Sequence, residues 1–579
     1  MKSRFFLERL QNSNLAHLGI KSPFTIPSGI ITTVPSVIAR LARDVPQIGF
    51  LTTKTLSVAP REGYREPVLH EYYPGCFVNA VGLANPGAQS FLEAMKSLLP
   101  LHDGKPLVVS IMGADAEEFL ECARILAPIA DAFELNLSCP HVQGAGQCVG
   151  SDPDSVSSIV RLMKKHVEKP IIPKLSPNLG DIAGMARLCE IAGADALSLI
   201  NTVGPGIAVD SEGYPVLSNT TGGLSGAGIL PVGIKAVREA ASAVSLPIIA
   251  SGGISSAREV RAYYTAGAGL FAVGSALAGM TTSRIEGFFD TLIHELESEK
   301  EEVFGPPEKA GHCRTDYFRT TVVENIPVGA GIFMLRLEDG SACEPGRFFF
   351  LRLSGVGEKP FSPLQDLEPI YLVRNVGPFT AALESLKPGD TIYMRGPYGK
   401  GFPAPEADEP LVLVGGGTGV APIIMAASLR GNIAKAFFGF SGDITEPFRR
   451  EILNRIPGSK IVSDPPGTVG EVVRVLRADM AADPGVYSHC AAFVCGPRPM
   501  MKAVVEALGE RLPDGSIYLA REDVMRCGIG VCGSCGTETG LRSCVDGPVM
   551  RDVGPDQFQV PSGLTQKVMQ SSDNGAISK

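Results

Sequence analysis

Three things are scarce in this 579-residue chain, and each scarcity removes a class of function. No window approaches the uninterrupted apolar length of a membrane span, and the opening MKSRFFLERLQNSNLAHLGIKSPF lacks the apolar stretch and small-residue cleavage site of a secretory signal. A cytoplasmic protein with no membrane partner is the expectation. Basic residues do not accumulate either: 52 lysines and arginines stand against 61 aspartates and glutamates, with no long basic run. Polyanions require a positive footprint, so nucleic acid is not an expected partner. Thirteen cysteines are too few for a disulfide scaffold of this length, yet four of them crowd between Cys527 and Cys544. That crowding points to metal ligation.

The length exceeds what one hydrophobic core supports, so several domains are expected. From about Leu107 to Leu277, short β-branched runs (LVVSIMG, AFELNLSC, PIIPKLSP, ALSLINT, PIIASGG, LFAVGSA) alternate with helical stretches. Such alternation means βαβ units and a parallel sheet, and the small or polar residue closing each run suits the strand ends of a closed barrel. Residues 1–300 are therefore read as a (β/α)8 TIM barrel. The charged, then Pro- and Gly-bearing segment after it gives a linker at 301–312. Short strands with turns predict an antiparallel β-barrel over 313–406, and LVLVGGGTGVAPI opens an α/β nucleotide domain over 407–515. A small cysteine-bearing domain is expected at 516–556, and the polar residues 557–579 are expected to be a disordered tail.

Several short motifs carry chemistry. Gly252-Gly253 and Gly274-Ser275 end the last two runs of the barrel, where backbone amides commonly hold a phosphate; tight turns are the bland alternative. FELNLSCPH places Asn136 and Cys139 just past a strand end, ahead of the Gly-rich VQGAGQCVG. A lone cysteine is usually core filler, but one at a loop entry is a plausible reactive thiol. Cys527, Cys532, Cys535 and Cys544 form C-x4-C-x2-C-x8-C, whose first three match the plant-type 2Fe-2S spacing. A structural zinc site is the alternative, and the x4 spacing disfavours it. Gly415, Gly416, Gly417, Thr418 and Gly419 follow an apolar strand, the arrangement that cradles pyrophosphate.

These residues carry a resemblance. NLSCPH at Asn136–His141, FVNAVGLANPG at Phe77–Gly87, TTKT at Thr52–Thr55, KLSPN at Lys174–Asn178, INT at Ile200–Thr202 and NTTGGLSG at Asn219–Gly226 together resemble the class 1B dihydroorotate dehydrogenases over nearly all of the first 280 residues. The resemblance implies oxidation of dihydroorotate to orotate, with Cys139 as the base on one face of the pyrimidine and FMN on the other. A thiol, ordinarily near pKa 8.5, needs only a modest shift to accept a proton at neutral pH. Lys174 would stand by the flavin's N1 edge, and Lys54 would serve both the substrate carboxylate and the flavin. Substrate contacts are implied at Lys54, Asn79, Ala80, Val81, Gly82, Leu83, Asn136, Asn201 and Thr202. FMN contacts are implied at Ser28, Lys54, Thr55, Ser110, Asn136, Lys174, Ile200, Gly226, Gly252, Gly253, Gly274 and Ser275. Ser110 departs from the family's usual asparagine, which puts one flavin hydrogen bond in question.

The second half resembles the family's FAD and 2Fe-2S electron-transfer subunit, of the ferredoxin reductase superfamily. That likeness implies FAD contacts at Lys359, Pro360, Phe361, Ser362, Leu372, Val373, Arg374, Phe379 and Thr380. Lys359 stands where the family usually has arginine, so a bidentate phosphate contact is replaced by a point charge. NAD is implied at Gly415–Gly419, and Asp443 after KAFFGFSGD favours it over its 2′-phosphorylated form, unless it is only a solvated loop carboxylate. A homodimer through the barrel is also implied. Two other readings remain open: a dihydropyrimidine dehydrogenase-like enzyme acting on uracil or thymine, and a non-catalytic flavin and iron-sulfur electron carrier.

Overall fold

The computed structural model describes residues 10, 13, 15–138, 149–298, 314–365, 367–405, 409–429, 432–464 and 470–552. Cys139, the linker expected at 301–312 and the tail expected at 557–579 lie outside these residues. The described residues form two compact units: residues 10–316 with 529–540, and residues 317–528 with 541–552.

The first unit is a TIM barrel. Its strands are β1 (Phe24–Thr25), β2 (Leu51–Thr52), β3 (Leu107–Ile111), β4 (Ala132–Asn136), β5 (Ile171–Leu175), β6 (Leu197–Leu199), β7 (Ile248–Ser251) and β8 (Leu270–Ala272). All pair in parallel, in chain order, with β8 returning to β1. A parallel bridge from Phe24 to Ile48 and the Gly49 N–H on the Phe24 carbonyl (2.8 Å) bring the β2 side round to β1. Every residue of β3, β4 and β5 is buried, as expected where one face fills the barrel interior and the other meets helices. The helices begin where the side chains permit. Asp115, Asp152, Asp181 and Thr281 each accept a backbone N–H of their own first turn, and Ser256 with Glu259 forms a capping box. Each such cap contributes about 1 kcal/mol, which fixes where strand-end loops stop and helices start.

Segments after β2 and β6 leave the barrel to form a small antiparallel sheet of Leu69–Tyr73, Cys76–Asn79, Gly222–Gly226 and Val203–Gly206. Because they follow the carboxyl ends of barrel strands, they belong to the rim where barrel active sites form.

In the second unit a six-stranded antiparallel sheet runs in the order Gly357–Phe361, Phe348–Leu353, Thr391–Tyr398, Phe318–Gly329, Ile332–Leu337 and Ile370–Arg374. The wholly buried FFFLRL strand, paired on both sides, explains the aromatic content of that run. The nucleotide-type sheet that follows has Lys460–Ser463, Asn432–Phe440, Pro410–Gly416, Ala491–Cys495 and Ile517–Ala520 in parallel, edged by antiparallel Val549–Arg551. Its strand order reverses at Pro410–Gly416, next to Ala491–Cys495, the topological switch point where open α/β sheets bind ligands. Among the described residues no helix is long and apolar enough to cross a membrane.

Candidate functional site

At the carboxyl ends of the barrel strands the polar residues named from the sequence connect to one another. Thr55 Oγ1 lies 2.9 Å from Ser28 Oγ and 3.1 Å from Ser110 Oγ, and accepts from Asn136 Nδ2 at 3.0 Å. Asn201 Nδ2 donates to Asn136 Oδ1 at 3.3 Å, and the Asn201 side chain in turn accepts the Thr202 N–H at 2.9 Å. Lys54 and Lys174 are both buried, at 7% and 5% exposure. Burying an ammonium group is costly unless something beside it takes its charge. Part of the answer is Glu134, which the sequence reading passed over: its Oε1 lies 3.7 Å from Lys174 Nζ and accepts from Ser110 Oγ at 2.9 Å. Ser110 is thus committed to Glu134 and Thr55. Cys139 itself lies outside the described residues; the chain is followed to Ser138, whose N–H meets Asn136 Oδ1 at 3.3 Å.

The rim supplies the loop Asn79–Leu83. Asn79 Nδ2 donates to the Gly223 carbonyl at 3.1 Å, and the Ala80 N–H to the Val68 carbonyl at 2.8 Å. Gly82 and Leu83 both have positive φ, so the backbone there turns tightly. Across the barrel, Gly253 has φ +76°, and a Cβ on it would come within 2.9 Å of Leu230 Cβ and 3.0 Å of the Gly226 carbonyl. Tyr263 Oη donates to the Gly252 carbonyl at 2.7 Å, and Ser251 Oγ to the Ile200 carbonyl at 2.8 Å. This is a backbone cradle that only glycine fits, followed by the capped helix Ala257–Ala266, and it suits the phosphate of a flavin mononucleotide. Gly274 and Ser275 lie at the end of β8, at the start of a short 3-10 turn.

The second unit holds a cavity of about 530 Å³. Lys359–Ser362, Leu372, Arg374, Phe379, Thr380 and Gly416–Gly419 line it, so the two motif sets expected to bind dinucleotides face one space. Val373 does not line it: strand alternation turns this residue into the apolar core beside Tyr371, where it is fully buried. Gly415 also sits back in its strand, against Phe438 and Val420. Two acidic residues that the sequence reading did not single out, Glu522 and Asp523, reach the cavity; Asp523 is held by Arg521 at 3.0 Å and by Arg498. Asp443 is exposed just after the strand Asn432–Phe440.

The four clustered cysteines are all buried and none is in a disulfide. In the second unit, Arg395 donates to the Cys527 carbonyl at 2.9 Å while its other nitrogens grip Glu358 at 2.5 and 2.9 Å. Arg395 is wholly buried, and Glu358 pulls its pKa up against the cost of burial. In the first unit, residues 529–540 lie along the start of the helix Pro35–Asp44. The Ile31 N–H donates to the Val531 carbonyl (2.8 Å), Thr33 Oγ1 to that of Cys532 (2.8 Å) and Ser36 Oγ to that of Thr537 (2.6 Å). Among the described residues no three His, Cys, Asp or Glu side chains converge where a single ion could sit.

Residues 10–296 match the dihydroorotate dehydrogenase family, and residues 522–552 match the iron-sulfur cluster binding domain of dihydroorotate dehydrogenase B. The catalytic subunit of dihydroorotate dehydrogenase B (NAD(+)) from Pyrococcus abyssi is 38% identical over 297 residues, covering 97% of that protein and 50% of this chain. Its counterpart from Thermococcus kodakarensis is 39% identical over 297 residues, and that from Methanosarcina mazei 40% over 265, covering 96% and 83% of those proteins and 50% and 45% of this chain. These relatives cover about half of this chain, and the cysteine module is identified by its own match. This chain belongs to the dihydroorotate dehydrogenase family and is an oxidoreductase.

Proposed function

We propose that this chain oxidises dihydroorotate to orotate and passes the two electrons, by way of FMN, a 2Fe-2S cluster and FAD, to NAD. In balance, one ring carbon gives up a proton, its neighbour gives up a hydride equivalent, and NAD becomes NADH. When bound, FMN would supply the hydride acceptor at the barrel mouth, held by Ser28, Thr55, Lys174 and the glycine cradle at 252–253. The observation that carries the reading is the polar network at the carboxyl rim, where Asn201 bonds Asn136, Asn136 bonds Thr55, and the buried Lys174 stands beside Glu134.

Each residue has a task there. Asn136, Asn201 and Asn79 offer donors and acceptors that match the alternating N–H and C=O edge of a pyrimidine. Lys54 faces a carboxylate, and the rim loop Asn79–Leu83 with Thr202 completes the pocket. Cys139, although outside the described residues, is proposed as the base because its motif places it right after Ser138 at the end of this strand. Cys527, Cys532, Cys535 and Cys544 would hold the cluster, and Lys359–Ser362 with Arg374 and Thr380 would hold FAD. Gly416–Gly419 would serve the NAD pyrophosphate, and Asp443 its ribose. We assign the chain to the cytoplasm and its barrel to a homodimer.

The test is a substrate comparison on the purified protein after its released flavins have been identified. NADH should form one-for-one with orotate when dihydroorotate is supplied, and not with dihydrouracil, which has no carboxylate for Lys54. Faster turnover of dihydrouracil, or protein that carries no FMN, would overturn the proposal.

A further inference from the structure

We propose that Glu134 is a positioning residue that sets how much positive charge Lys174 presents to the flavin. The inference rests on the function proposed above and extends it to a residue in the middle of a barrel strand. Glu134 is buried in β4, two residues before Asn136, so both side chains leave the same face of the strand. Strand register sets Ser110 beside Glu134 and Lys174 beside Asn136. A carboxylate is thereby placed inside the barrel directly behind the lysine.

The distances show how the group acts. Ser110 Oγ donates to Glu134 Oε1 at 2.9 Å, which fixes that oxygen, and Lys174 Nζ stands 3.7 Å from the same atom. That separation lies beyond the roughly 2.7–3.2 Å of a direct N–H···O bond. Lys174 is therefore held electrostatically by Glu134 without spending its N–H donors there, and both side chains are about 95% shielded from water. At such range and burial one unit charge weighs heavily on its neighbour. Glu134 keeps the lysine seated and at the same time cancels part of its field at the place where a reduced flavin ring would carry negative charge. The Ser110 hydroxyl is spent on holding the carboxylate.

Sulfite reads that field directly, because its sulfur adds to a nitrogen of the oxidised flavin ring and leaves the ring anionic. Holoprotein is titrated with sulfite, and only the bleaching that orotate displaces is scored, so that the barrel flavin is observed. Glu134→Gln should bind sulfite at least about tenfold more tightly than the parent, as befits loss of one opposing charge within a few ångströms. Glu134→Asp, which draws the carboxylate back, should shift the affinity the same way by less. Lys174→Met, which removes the charge that Glu134 opposes, should move sulfite affinity the other way and weaken it. An unchanged or weakened sulfite affinity in Glu134→Gln, or an unchanged or tightened one in Lys174→Met, would overturn the proposal; if Glu134→Gln does not fold, an unchanged affinity in Glu134→Asp would do the same. Protein lacking FMN would fail at the flavin analysis that precedes the titration, and would count against the functional reading instead.

Discussion

Under the proposed function, Gly253 is a residue on which the seating of the FMN phosphate depends. Its φ of +76° is a conformation that costs a side-chain-bearing residue about 1–2 kcal/mol, and a methyl group there would press on Leu230 and the Gly226 carbonyl. Gly253→Ala should therefore lower stability by roughly 1–3 kcal/mol, the usual penalty of overpacking, and reduce the FMN retained per chain after gel filtration. Full FMN retention would show that the cradle is not where the phosphate sits. At this scale, what the sequence reveals depends on local context. Gly252-Gly253 and Asn136 are legible because they close an apolar run. Glu134, lying between Phe133 and Leu135, reads as an ordinary strand position, and only the neighbouring strands supply Ser110 and Lys174. Val373 shows the converse: a motif carries three consecutive residues, but a strand can offer only alternate ones, here Leu372 and Arg374, to a cavity.

Among elements, the hairpin Leu69–Asn79 bears on the site because it presents Asn79 and the rim loop after it, and one buried carboxylate anchors it. Glu71 accepts from Arg314 at 2.8 and 2.9 Å, from the Arg314 N–H at 2.7 Å and from the Gly75 N–H at 2.7 Å. Burial alone would raise its pKa; the hydrogen bonds from Arg314 and Gly75 outweigh it and hold the carboxyl below its ordinary 4.5. A folded-state pKa below the unfolded one contributes stability that is present above the unfolded value and lost as pH falls through the folded one. Denaturation of the parent from pH 6 downward should thus lose stability in the acid limb, with that share of the loss absent from Glu71→Gln. At neutral pH the variant should be weaker by about 1–3 kcal/mol, discounted because Arg314 is partly open to water. Identical acid limbs would show that the pair adds nothing. The sequence hides this anchor, since 243 positions separate Glu71 from Arg314. It likewise hides β1 and β2, each two residues long and too short to show a strand pattern.

For the whole molecule, electron count sets the constraint. Dihydroorotate releases two electrons together, whereas an iron-sulfur cluster carries one at a time, so a chain built as proposed must separate substrate oxidation from NAD reduction. The barrel has its own core and its own polar mouth, and the cavity lined by Lys359–Ser362 and Gly416–Gly419 lies wholly within the second unit. Substitution in the cysteine loop should then spare one reaction and stop the other. In Cys532→Ser, dihydroorotate oxidation by an artificial dye that accepts electrons from FMN should stay within about twofold of the parent, as for a change remote from the reacting atoms. NADH formation from dihydroorotate should fall by at least about a hundredfold, the scale of a lost ligand at a metal site. Reduction of the dye by NADH through FAD should persist, showing that the second unit is folded and loaded. Parallel loss of all three activities would mean that the loop serves folding alone, and undiminished NADH formation from dihydroorotate would mean that the electrons do not pass through the cysteines.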